Sequence, residues 1–135
     1  MNLPELFLFL VLGYIATVAI EVPVLIAGLT RRHNLRTRFT CGLLLTAFTY
    51  PIVVLVLPAT VLPYWGQTIY LAIAESYAPL AEVLFFRFMT NQKLPAALDR
   101  DAVVIMCANL LSFALGAAFL SDWILAVIRS CLNGA

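Results

Sequence analysis

The chain has 135 residues, 64% of them hydrophobic and 11% charged, with a formal net charge of +1. Its mean hydropathy of +1.02 assigns it to a membrane and leaves no room for a soluble domain. The near-zero charge gives nucleic acid no reason to bind.

A bilayer core needs roughly 20 apolar residues per crossing helix. Four segments meet that need, at about 3–29, 41–62, 67–89 and 102–128. The runs are continuously apolar rather than alternating over about ten residues, which excludes a membrane β-barrel. The expected fold is all-α: one integral membrane domain over residues 1–135, a four-transmembrane-helix bundle.

The first segment opens with Pro4, suited to a first helical turn, and exits at Gly28. It lacks a basic leader, outruns a signal sequence and carries Glu21, so a retained helix is expected. Pro23, two residues further on, removes a backbone donor, frees a carbonyl in that turn and predicts a kink. The polar connection that follows holds Arg31, Arg32, Arg36 and Arg38, together with His33, the sole histidine. The second segment carries Thr46, Thr49, Pro51 and Pro58, with a kink expected at Pro51. Its exit, Pro63–Gly66, has no basic residue and sets Tyr64 and Trp65 at head-group level.

The third segment contains Glu75, Pro79 (a third expected kink) and Glu82. Arg87 is expected to reach out to the interface. The third connection has Lys93, Pro95 and Arg100, and Asp99 and Asp101 complement the dipole at the start of the last helix. That helix runs through Asn109, Ser112 and Gly116 to Asp122 and Trp123. Basic residues therefore gather in the first and third connections, with Arg129 alone against the bias. The positive-inside rule sets those connections in the cytoplasm and both termini outside. Cys41, Cys107 and Cys131 fall at different expected depths, so neither a disulfide framework nor a cysteine metal motif is expected.

Depth along a helix can be counted at about 1.5 Å per residue. Glu21, Thr49, Glu82 and Asn109 each lie about seven or eight residues from the cytoplasmic end of their segments, roughly 12 Å deep. Glu75 and Glu82 are spaced i, i+7 on one face; Asn109, Ser112 and Gly116 form one stripe. Lipid cannot satisfy such groups, so they are expected to turn inward. A carboxylate in a membrane costs about 2.5–3.5 kcal/mol on insertion scales, and no basic residue lies at that depth to offset it. The glutamates are therefore expected to hold a proton or a cation, or to pair with another chain.

Carboxylates, an amide and hydroxyls make a hard oxygen site suited to protons, small cations or amines. With His33 in a loop, neither haem nor zinc is indicated, and no cofactor is expected; which metal, if any, the site takes stays open. Glu82…Arg87 departs from the Glu-Glu-xxx-Arg signature of CAAX-type membrane proteases in its single Glu and its longer spacing, and an intramembrane histidine is lacking. The pattern Glu21, Thr46–Ala47–Phe48–Thr49–Tyr50–Pro51, Glu75, Glu82, Asn109, Ser112 and Gly116 resembles a loose group of small four-helix bacterial membrane proteins. That group usually has Asn where this chain has Thr46. The resemblance implies a bacterial plasma (inner) membrane location and one polar constellation, but lends no activity. The expected function is a cation- or proton-coupled transporter or channel, with Glu21, Glu82, Glu75, Asn109, Ser112 and Thr49 as binding residues. A transport path through so small a chain implies a homodimer or larger complex. The alternatives are a non-catalytic subunit or assembly factor of a membrane complex, and a membrane enzyme acting on a lipid-soluble substrate.

Overall fold

The computed structural model describes residues 3–93, 99–120, 124, 126 and 130. Pro95, Asp122, Trp123, Arg129 and Cys131, and so much of the expected outer end of the fourth helix, lie outside the described residues. The described chain is helical, with no strand: α1 (Leu3–Gly28), α2 (Leu35–Pro51), α3 (Leu57–Met89) and α4 (Arg100–Leu115). Three helices are long and apolar enough to cross a membrane: Leu3–Gly28, Leu35–Met89 and Arg100–Ala118.

Where the sequence predicts separate second and third segments, the structure joins them in one helical run of 55 residues. Pro51 has no N–H to continue the α pattern, and a π-helical stretch, Ile52–Val56, follows it at once. Pro63, Tyr64 and Trp65, expected in a turn, stay helical, and the dihedrals leave the helical region at Gly66 (φ 77°, ψ 176°). The run doubles back there. Tyr70 donates to the Val53 carbonyl 17 residues earlier at 3.1 Å, which a straight rod forbids. α1 passes through Pro23 and α3 through Pro79 without leaving the helix.

α2 also begins earlier than expected, at Leu35. The Asn34 side chain accepts from the Thr37 N–H at 2.7 Å, an N-cap that recruits the basic tract into the helix. Arg38 then caps the end of α1, giving hydrogen bonds to the carbonyls of Ile26 (2.7 Å) and Thr30 (3.1 Å). The helices pack as a ring: α1 against α2 and α4, and α3 against α2 and α4. Towards the Arg31–Arg38 connection the interior is solid, filled by Leu25, Leu29, Cys41, Leu45, Phe86, Ile105 and Ala108. Above that plug lies the polar layer.

Candidate functional site

Two glutamates face the interior from opposite members of the ring. Glu21 on α1 and Glu82 on α3 are both about 98–99% buried. Glu21 accepts from the Thr46 hydroxyl at 2.7 Å on Oε2 and from the Ser112 hydroxyl at 2.5 Å on Oε1. Glu82 accepts from the Thr49 hydroxyl at 2.7 Å on Oε1 and from the Asn109 amide at 2.6 Å on Oε2. The cause is helical spacing. Thr46 and Thr49 share one face of α2, and Asn109 and Ser112 share one face of α4. Each of these two helices therefore gives one donor to each carboxyl, and all four carboxyl oxygens are engaged.

The three hydroxyls have a second acceptor each. Thr46 Oγ1 lies 3.0 Å from the Gly42 carbonyl, Thr49 Oγ1 3.1 Å from that of Leu45, and Ser112 Oγ 2.9 Å from that of Asn109. A hydroxyl has one hydrogen to give. Facing an ionised carboxylate it donates to it. Facing a protonated carboxyl it accepts from it and donates to its own helix instead. The same heavy-atom positions thus satisfy both charge states. Asn109 differs, because its amide carries two hydrogens, and it donates to Glu82 whichever way the others turn.

Beyond this pair a cavity of about 300 Å³ runs towards the end of the bundle opposite the basic connection. Glu21, Thr46, Thr49, Asn109 and Ser112 line its polar side, and Phe9, Tyr50, Val53, Val54 and Phe113 its apolar walls. Glu75 and Pro79 also line it, and Glu82 lies behind the wall. Glu75 is half-buried and shows no hydrogen bond or ion pair among the described residues. No arginine, lysine or histidine pairs with any of the three glutamates among the described residues. Nor do three His, Cys, Asp or Glu side chains gather there as a metal site.

The structure therefore brings Glu21, Glu82, Thr49, Asn109 and Ser112 into one network and sets Glu75 apart on the cavity wall. Thr46, which was not among the expected binding residues, is a direct partner of Glu21. Its position three residues before Thr49 was the available signal. A second cluster, at the basic end, was not foreseen as one. Asp101 is fully buried and accepts from the Thr30 N–H (2.7 Å), the Thr30 hydroxyl (3.0 Å) and Arg32 (2.8 Å), with His33 Nε2 at 3.2 Å. Arg87, expected to reach the interface, is instead buried, bonding Gln92 at 2.8 Å and Asp99. Burial works against ionisation of Asp99. The hydrogen bonds from Arg87 and from the Ala102 N–H outweigh it and hold the carboxyl below its ordinary range. These contacts tie both basic connections to α4 and close that end. Compared with protein-family models, curated proteins and solved structures, the chain matches none.

Proposed function

We propose that this is an integral protein of a bacterial inner membrane, crossing it four times with both termini outside, and that it works as a proton- or cation-coupled transporter. Glu21 and Glu82 are its proton-binding pair. One observation carries the reading: each hydroxyl on the pair sits between a carboxyl oxygen and a helix carbonyl, so a proton can arrive or leave without repacking. Back-bonding to the helix is ordinary for Ser and Thr, and Thr60, Ser76 and Thr90 do the same; what sets these three hydroxyls apart is the buried carboxyl oxygen on their other side. The geometry around it agrees. Glu21 is faced by Thr46 and Ser112, Glu82 by Thr49 and Asn109, with Glu75 and Tyr50 along the same cavity and no basic side chain paired with the glutamates among the described residues. The plug below and the cavity above leave Glu21 facing open space on one side only, with Glu82 behind it, as an alternating-access cycle requires of one of its states.

The test is an infrared titration of the purified protein, following the carbonyl stretch of protonated carboxyl groups. The wild type is expected to lose that band as pH rises, with smaller amplitude in Glu21→Gln and in Glu82→Gln. A band absent at every pH, or unaltered by both substitutions, overturns the proton-binding reading.

A further inference from the structure

Resting on that reading of the site, we propose that the cavity takes a lipophilic organic cation: a protonated amine whose ammonium head is received by Glu75 and whose apolar body lies against Phe9, Tyr50 and Phe113. Size is the first argument. At about 300 Å³ the space equals that of roughly ten water molecules at about 30 Å³ each, and falls in the range of small-molecule pockets. A bare metal ion does not fill it.

The walls supply the second argument. They are mostly aliphatic and aromatic, and the oxygens of Glu21 on the polar side are already engaged, so a hydrated inorganic ion would lose much of its water against surfaces that replace little of it. Aromatic rings do attract an organic cation through their faces. Charge is the third. Two carboxyl groups, Glu21 and Glu75, border the space with no basic side chain among the described lining residues, which turns away anionic head groups.

Free acceptors give the fourth. Both oxygens of Glu21 are already bonded, whereas the Glu75 carboxyl makes no hydrogen bond or ion pair among the described residues. Four residues on, Pro79 has no N–H to give the Glu75 carbonyl, so the same turn has a second acceptor without its helical bond. An ammonium group brings three donors and no acceptor, the complement of that turn.

The probe is 3-phenylpropylamine at neutral pH, tested by equilibrium dialysis against the protein in lipid nanodiscs. Its neutral isostere 3-phenylpropanol and potassium chloride serve as controls. Saturable binding of the amine alone is expected, weakened at least tenfold by Glu75→Gln. Ala16→Leu, which fills the cavity wall and leaves the carboxyls in place, is expected to weaken it similarly. Equal binding of the alcohol, displacement of the amine by potassium at equimolar concentration, or unchanged affinity in Glu75→Gln overturns the inference. So does absence of saturable amine binding to folded wild type. The infrared titration on the same sample then separates the cases. A titrating band leaves the proton pair standing and removes only the substrate class, whereas a missing band removes both.

Discussion

At the residue scale, the carboxyl layer is held by hydrogen-bond arithmetic, and that arithmetic predicts which substitutions it tolerates. A glutamine at position 21 can accept from one hydroxyl through its carbonyl and donate to the other through its amide. Glu21→Gln is therefore expected to unfold at or above the wild-type temperature while abolishing its share of proton binding. Thr46→Val keeps the shape but removes a donor from a buried carboxyl, a loss of about 1–3 kcal/mol in detergent unfolding. Thermal unfolding of both variants checks the pair. If Glu21→Gln proves the more damaging, the carboxyl acts as a fixed charge and the two-state account fails. Counting 1.5 Å per residue made the membership of this layer legible in the sequence, because membrane helices are regular and each polar group sits at a comparable distance from a charged end. Pairing was not legible. That Thr46 serves Glu21 and Thr49 serves Glu82 depends on which helices are neighbours in the ring, and depth counting is blind to that.

Among the elements, the first span agrees with expectation, the second and third are joined in one run, and the ends differ. Hydropathy reports where apolar residues stop, but a helix stops where its caps are. Asn34 carries α2 through a basic tract that reads as loop, and Pro63–Trp65 remain helical although Pro63, well inside α3, has no N–H for the Ala59 carbonyl. The reversal rests on Gly66, whose dihedrals lie in a region essentially reserved for glycine. Nothing lies within 4 Å of a Cβ added there, so strain rather than crowding decides the outcome. Gly66→Ala is expected to cost about 1–3 kcal/mol, and Gly66→Asn a similar amount, because the tolerance of Asn for positive φ belongs to the left-handed helical region and not to ψ near 180°. Equal stability of Gly66→Ala and wild type in detergent unfolding would show that the helix ends set the reversal without the glycine. The junction of α3 and α4 makes a pH-dependent prediction. The lowered pKa of Asp99 means its contribution is present above the ordinary carboxylate range and is lost as pH falls through the lower, folded value. Asp99→Asn keeps an oxygen for the Ala102 N–H and removes only the charge facing Arg87. It is expected to destabilise by at most on the order of 1 kcal/mol at pH 7, with the gap closing below about pH 4. A gap independent of pH would assign the loss to the cap instead.

On the scale of the whole molecule, charge and space are distributed oppositely along the bundle. One end holds the described arginines, the buried Asp101 and the solid plug; the other holds the cavity and an exposed aromatic pair, Tyr64 and Trp65. This polarity ties topology to mechanism. If the arginine-rich end faces the cytoplasm, Glu21 in this conformation faces the cavity on the outer side, and protons drawn from outside meet it before Glu82 and the plug. That in turn requires the run Leu35–Met89 to cross the membrane and return, with Gly66 at the outer surface. Two single-cysteine variants in a cysteine-free background decide the matter: Tyr64→Cys at the reversal and Asn91→Cys beyond α3, both at exposed positions. In sealed cells an impermeant maleimide is expected to label the first and to reach the second only after permeabilisation. Labelling of both from outside would abolish the return crossing, and with it the ring of donors that supports a proton on either glutamate. Labelling of the second alone would keep the ring and invert it, so that the cavity would draw its protons and its cargo from the cytoplasm. The carboxyl chemistry is the same in either orientation; only the direction in which a proton gradient drives the cycle changes.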